Sequence, residues 1–430
     1  MLYFPPAAEV ALAVPAPLEF DLAGALGRAR EENPLLRAAK ARVEERTGMI
    51  TATRADALPQ VALTGDFTRM RDVSLLSSSL GQSFLTAFSI SPSAAVAPYS
   101  MYTTMATVSQ PLFYWGKLGT AVAIARMGEK EAGYAYSTAE LDTLHGVAKA
   151  YIMVLAAQAE LEVVQSRLQT AQQFLSDVKS KLEAQSATEL DRLRAESEYL
   201  GVIPENLQAE ANYQRAVELL NGQLGLDPHT PLKLRDPGNP VTGAGLGDRE
   251  RSEIAQLRQQ EAMYRANDTI IKSDLRPKFD FNASYGYQAG TTGNLFREPY
   301  DAWRVNVTMR FPVFDGLRAS GKRAQNRAQL EQVSQTRVDK ERAIAVEKST
   351  AERELRKAVA FQDAARMAYN AALEALRNSR EAFDQGLITS LDLLEAERTE
   401  RQQESQRRRA QLGVWTALFD YRRSYGLPPQ

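Results

Sequence analysis

The chain contains no cysteine, which excludes disulfides, thiolate metal sites, thiol nucleophiles and an acylated cysteine within these residues. Its two histidines, His145 and His229, lie far apart in sequence and away from carboxylate clusters at ligand spacing, so no metal set is expected. Net charge is nearly absent: the formal value is −1 with 24% charged residues of both signs, and nucleic acid is not an expected partner. No window of about 20 residues is continuously apolar and uncharged, which removes a transmembrane helix. Met1 to Pro17 is Ala-rich and apolar but has no leading Lys or Arg. It fails as a full signal peptide, which is how a trimmed or mature chain would look. Neither a Ser-His-Asp set nor a paired-carboxylate arrangement stands out, so no enzyme is expected. Gly316-Leu317-Arg318-Ala319-Ser320-Gly321-Lys322 has phosphate-loop spacing, yet Arg323 occupies the position where Ser or Thr must ligate magnesium. No cofactor is expected.

What is present is a repeat. Gln110-Pro111-Leu112-Phe113 recurs as Phe311-Pro312-Val313-Phe314, Thr188-Glu189-Leu190-Asp191 as Thr389-Ser390-Leu391-Asp392, and Gly225-Leu226-Asp227-Pro228 as Gly426-Leu427-Pro428-Pro429, each 201 positions later. A constant offset over so long a stretch means no net insertion. Loops tolerate length changes, whereas one inserted residue turns a helix by about 100° and moves its apolar seam off its partner. The repeated unit is therefore read as a long, registered helical hairpin. Helix is predicted from after Gly116 to about Gln185 and from after Gly316 to about Gln385, each about 70 residues or roughly 105 Å. Return helices are predicted over Thr188 to Leu224 and Ser390 to Tyr425, with Gly201 and Pro204 kinking the first. The organisation is an N-terminal segment 1–17, a first structural repeat 18–226, a Pro- and Gly-rich linker 227–247 and a second repeat 248–430.

Between the helices lie runs of period two. Phe279, Phe281, Ala283, Tyr285 and Tyr287 alternate with Lys278, Asp280, Asn282, Ser284 and Gln288. Trp303, Val305, Val307, Met309 and Phe311 alternate with Arg304, Asn306, Thr308 and Arg310. The first half repeats this more weakly, with Val61, Leu63 and Phe67 alternating against Ala62, Thr64, Asp66 and Thr68, and with Thr103, Thr107 and Ser109 on one side of a run to Phe113. Runs of 9–11 residues suit tilted membrane strands, apolar toward lipid and polar toward a wet lumen. Alternation alone fits a soluble antiparallel hairpin equally well. The long helices favour the membrane reading, because nothing compact follows the strands to cover them. Trp115, Tyr114 and Trp303 near strand ends suit an interfacial girdle. Pro111 and Gly116, and Pro312, Asp315 and Gly316, suit swivels between strand and helix.

In order along the chain, Glu32-Asn33-Pro34-Leu35, Leu58-Pro59-Gln60-Val61, Gln110-Pro111-Leu112-Phe113, Gly386-Leu387-Ile388-Thr389-Ser390-Leu391-Asp392 and Tyr425-Gly426-Leu427-Pro428 resemble the TolC-like outer-membrane efflux protein family. The resemblance covers nearly the whole chain. It implies a mainly α fold with membrane β: a homotrimer in which each chain gives four strands to a 12-stranded barrel, continued by an antiparallel α-helical coiled-coil tunnel into the periplasm. Elementary physics agrees, since the open edges of a four-stranded sheet in lipid must be closed by other chains. The segments Arg71 to Ser100 and Ala289 to Ala302 would then be extracellular loops. The implied function is a passive exit duct in the bacterial outer membrane, docking a periplasmic adaptor (membrane fusion) protein and an inner-membrane transporter for efflux or type I secretion. The alternative is a soluble coiled-coil scaffold with a β-hairpin cap.

The resemblance also assigns residues. Gln185, Ser186, Ala187 and Thr188, and Gly386, Leu387, Ile388 and Thr389, match the periplasmic tips that meet the adaptor, with Gln185 replacing the glycine expected in the first copy. Asp392 and Glu395 share a helix face and match acidic entrance positions, where carboxylate rings would favour cations. Asp191, the counterpart of Asp392, is a candidate for bonding to a neighbouring helix and holding the tunnel shut. Phe383 falls where the best known member of the family has a gating tyrosine, and Ile388 where it has a gating arginine. Neither can form a polar latch, which leaves an apolar constriction.

Overall fold

The computed structural model describes residues 17–71, 78–89, 91, 98–186, 188–240, 249–385, 387–388 and 390–429. Along the chain run β1 (Leu18–Phe20), α1 (Leu22–Glu32), α2 (Pro34–Ala55), β2 (Gln60–Met70), α3 (Ser79–Ala87), β3 (Tyr99–Phe113), α4 (Lys117–Glu183) and α5 (Glu189–Leu224). They continue as β4 (Leu232–Leu234), α6 (Ser252–Ser273), β5 (Lys278–Ala289), β6 (Asp301–Arg310), α7 (Arg318–Asp384) and α8 (Ser390–Ser424). α2 and α6 have 22 residues each and begin 218 positions apart; α4 and α7 have 67 each and begin 201 apart. α5 runs continuously through Pro204. Val202, fully buried with Val164, Ala171 and Ala209, holds that stretch against α4 despite the lost hydrogen bond. No helix among the described residues is long and apolar enough to cross a membrane.

The contacts divide the chain into two units. One comprises Glu44–Glu131 and Arg258–Gln335, and contains an antiparallel sheet in the order β2-β3-β5-β6. Its register turns the alternation into two faces. Val61, Val108, Ala283 and Val305 form one cross-strand row, and Leu63, Ala106, Tyr285 and Trp303 the next. On the opposite face Gln60, Ser109, Asn282 and Asn306 form one row, followed by Ala62, Thr107, Ser284 and Arg304. The apolar face is bare, with Leu63 77%, Val305 57% and Val307 60% exposed. β2 and β6 are edge strands, each lacking a partner on its outer side among the described residues.

At the strand-to-helix joints the backbone turns through two consecutive left-handed residues, Trp115 and Gly116 in one, Gly316 and Leu317 in the other. Glycine accepts that geometry freely; the non-glycine residue of each pair, Trp115 or Leu317, adopts it at a cost. The hydrogen bonds repeat with the offset: Lys117 N to Tyr114 O at 2.9 Å matches Arg318 N to Asp315 O at 3.4 Å, and Thr120 N to Gly116 O at 2.8 Å matches Gly321 N to Leu317 O at 3.0 Å. The stretch resembling a phosphate loop is thus the swivel at Gly316 and Leu317 with the first turn of α7.

The other unit holds the residues up to Val43, Ala132–Leu257 and Thr336–Gln430. Its core gathers Leu22, Ala25 and Ala29 of α1, Val147, Tyr151 and Val154 of α4, Leu220 and Leu224 of α5, and Trp415 and Phe419 of α8. These positions recur every three or four residues and form one stripe on each helix. The fully buried Tyr151 hydroxyl lies 3.0 and 2.6 Å from the carbonyls of Phe20 and Arg235. The linker read as having little helix contributes β4, which pairs in parallel with β1. Trp415 Nε1 donates to the Gly238 carbonyl at 2.9 Å, tying the linker to α8.

Ion clusters join elements distant in sequence. His145 Nε2 lies 2.7 Å and Lys149 Nζ 3.1 Å from Asp420. Burial pushes the Asp420 carboxyl pKa up, but the hydrogen bonds from His145 and Lys149 outweigh it and hold the pKa below the usual aspartate value. A depressed native pKa gives stability that is complete above the unfolded value, about 4, and lost as pH falls through the native value. Asp420→Asn is therefore expected to lower the melting temperature at neutral pH and to flatten its acid dependence, read by circular dichroism between neutral and acid pH.

Candidate pore and docking site

Each long helix reverses at a turn built by the same closing hydrogen bond. Ser186 N donates to Lys181 O at 2.8 Å, and 201 positions later Leu387 N donates to Ala382 O, also at 2.8 Å. This six-to-one bond satisfies a carbonyl that the helix end would leave open. Gln185 takes the left-handed conformation at φ 57°, so the first turn makes with glutamine what glycine makes at lower cost. Ala187, Gly386 and Thr389, assigned to the tips from sequence, lie outside the described residues. Thr188 caps α5: its Oγ1 accepts from Asp191 N at 3.2 Å while Asp191 Oδ2 accepts from Thr188 N at 3.0 Å and from its hydroxyl at 2.6 Å. Those bonds from Thr188 hold the Asp191 carboxyl below its usual pKa. Within the chain the Asp191 side chain bonds to its own cap. A carboxylate at the third helical residue is within reach of its own cap, and the helix dipole favours it there.

Arg192 bridges Glu189 at 2.9 Å and Glu196 at 2.7 Å, which stiffens the first turns of α5. The second hairpin uses a different clasp, Arg380 of α7 to Glu397 of α8 at 3.2 Å. The Glu-x-x-Arg-x-x-x-Glu spacing of the first was legible in sequence; the second joins two helices across the turn and was not. Asp392 lies in the first turn of α8 and Glu395 one turn on, both exposed. Leu387 is exposed, Ile388 half-buried and Phe383 39% exposed at the end of α7. The tips thus offer apolar side chains beside carboxylates.

At the other site, β3 and α4 lock onto the joint between α6 and β5. Lys117 Nζ lies 2.7 Å from Asp274, Trp115 Nε1 donates to the Pro277 carbonyl at 2.6 Å, the Arg276 guanidinium lies over the Trp115 ring at 4.9 Å, and Tyr114 donates to Asp280 at 2.6 Å. Lys278 reaches the same Asp274 at 3.0 Å. Burial raises the Asp274 pKa, and the bonds from Lys117 and Lys278 more than reverse that. Trp115 and Phe113 pack edge to face at 4.9 Å, at the end of β3.

The residues matching the family described as "Outer membrane efflux protein" are 25–226 and 249–422. The chain belongs to the outer membrane efflux protein family. The two matched blocks leave out 227–248, the linker stretch between the repeats. Among relatives in this family, the pyoverdine export outer membrane protein OpmQ of Pseudomonas aeruginosa is 27% identical over 54% of this chain and 50% of its own length. The chain therefore spans about half of that relative. Outer membrane protein TolC of Vibrio cholerae is 21% identical over 88% of this chain and 84% of its own. Among solved structures, the CmeC outer membrane channel of Campylobacter jejuni superposes with a TM-score of 0.77 at 13% identity, over 94% of this chain and 85% of that one. VceC of Vibrio cholerae gives 0.75 at 20% identity, over 95% and 97%. The fold is that of these outer-membrane channels.

Proposed function

We propose that three copies of the chain close a twelve-stranded barrel in the bacterial outer membrane and form a passive exit duct for efflux or secretion. The observation that carries this reading is the sheet: one face apolar and bare, the other polar, with two unpaired edges. In lipid, unpaired backbone groups cost several kcal/mol each, so the edges must meet other strands, and a barrel is the closed solution. The relatives' printed roles, pyoverdine export by OpmQ among them, agree with a duct. The tips around Gln185 and Leu387 are the surface for a periplasmic adaptor, which links the duct to an inner-membrane transporter. In a trimer Asp392 and Glu395 become rings of carboxylates, which concentrate cations at a narrow passage. No chemical step is assigned to the chain.

Reconstitution in planar bilayers tests the reading. The protein, extracted in detergent as a trimer, is expected to open conducting channels without nucleotide, with cation selectivity that falls when Asp392→Ala and Glu395→Ala are combined. A chain soluble without detergent and silent in bilayers would favour the scaffold instead. Conducting channels of unchanged selectivity would leave the duct standing and remove the acidic rings from it.

A further inference from the structure

The strand-to-helix joints follow two offsets. β3–α4 maps onto β6–α7 at 201 positions, and α2–β2 maps onto α6–β5 at 218, as the ends of α2 and α6 show. The second mapping extends to the turn: Leu58 N bonds to Ala55 O at 3.0 Å, as Arg276 N bonds to Ser273 O at 3.1 Å. Asp56-Ala57-Leu58-Pro59 is thereby the counterpart of Asp274-Leu275-Arg276-Pro277. Lys117 is the counterpart of Arg318.

Within the chain the first joint is closed: Lys117 and Asp274 pair at 2.7 Å, with side chains only 29% and 28% exposed. Their counterparts cannot meet in one chain, because Asp56 precedes β2 and Arg318 follows β6, the two opposite edges of the sheet. Both are exposed, and among the described residues neither side chain has an ion pair or hydrogen bond. Arg318 also borders a cavity of about 300 Å³ lined by Lys278, Arg310 and Lys322, whose acids are Asp274 and Asp315. Asp274 is already engaged by Lys117 and Lys278, and Asp315 accepts from Ala319 N at 2.8 Å. The surround is therefore short of negative charge.

We infer that Arg318 pairs with Asp56 of the partner subunit, so that the contact made once inside each chain is made again at every boundary between chains. This rests on the trimeric reading above and adds its register: β6 of one protomer meets β2 of the next with the joints aligned as they are between β3 and β5. A carboxylate entering beside Arg318 and Arg310 gains charge-assisted hydrogen bonds in a site shielded from water once the edges close. One part of the closed joint is not repeated. Gly316 stands at the Trp115 position and Leu58 at the Arg276 position, so the indole bond and the cation stacking have no equivalent. Apolar groups stand there instead: Phe314, Leu317 and Leu58 are all exposed in the single chain.

Charge reversal and cross-linking test the pairing. Asp56→Arg and Arg318→Asp are each expected to lower the temperature at which the detergent-extracted trimer falls to monomer, and the two together are expected to restore it. Because the chain has no cysteine, Asp56→Cys with Arg318→Cys gives a clean background for a short bifunctional thiol reagent. The double variant is expected to yield covalent dimers and trimers, and either cysteine alone none. Lys117→Cys with Asp274→Cys, cross-linked within a chain, serves as the positive control and runs as monomer. A native trimer insensitive to both reversals and not cross-linked at this pair would overturn the contact and leave the trimer intact. A native chain that is monomeric in detergent would overturn the trimer and the contact together.

Discussion

Arginine at Val307 is expected to abolish assembly in the outer membrane, whereas arginine at the adjacent Asn306 is expected to be tolerated. Val307 sits on the bare face of β6 opposite Phe281, and Asn306 sits on the polar face opposite Asn282. If the bare face meets lipid, an arginine near the bilayer midplane costs about 2–4 kcal/mol per chain. A trimer incurs that cost three times, roughly 6–12 kcal/mol, comparable with the whole stability of an ordinary domain. At Asn306 the guanidinium would face water and the neighbouring Arg304 row, and the cost is small. The readout is the amount of heat-resistant oligomer in the outer-membrane fraction. Equal amounts for the two variants would mean that the faces do not differ in environment.

Removal of the Arg251 guanidinium is the second large effect expected. Arg251 is 3% exposed and holds Glu253, Glu347 at 3.0 Å and the Ser424 carbonyl at 3.3 Å. Glu347 also meets Arg423, which in turn reaches Asp142 at 2.8 Å, so the start of α6, α7, α8 and α4 converge on one network. Arg251→Ala leaves Glu253 beside a buried gap, without its hydrogen-bonded partner and with only the more distant charge of Lys340, and breaking such a pair costs about 3–5 kcal/mol. Arg251→Met restores much of the volume but not the charge, and is expected to fall almost as far. Lysine keeps the charge and loses the planar fork that serves three acceptors, so it should lie between. Helical circular dichroism on heating in detergent reads the order. Alanine and methionine variants melting with the wild type would show that the network carries no stability.

Helices and strands were legible because their signals are periodic. The 201-position repeat set α4 and α7 to within a few residues, and the alternation in Phe279 to Tyr287 set the two faces of β5. The linker strand was not legible: three residues, Leu232 to Leu234, carry too little period, and their partner Leu18 to Phe20 lies more than two hundred positions away. Separations of 275 and 157 positions likewise hid the His145–Asp420 and Lys117–Asp274 pairs, which sequence spacing cannot propose. At the tips, the capping box of Thr188 and Asp191 was readable as Thr-x-x-Asp, and it explains why Asp191 turns inward to its own helix. The packing beside Pro204 was not legible, since Val202 is buried against Val164 and Ala171 of another helix.

The most direct test of the membrane sheet is a single-cysteine scan along β5 and β6 in liposomes, which the cysteine-free chain permits without prior substitution. Labels at Phe281, Ala283, Tyr285, Val305 and Val307 are expected to respond to a lipid-phase quencher, and labels at Asn282, Ser284, Asn306 and Thr308 to a water-soluble one, with a strict period of two. Water-phase quenching at every position, or quenching with no alternation, would contradict a strand wall that separates lipid from a wet lumen.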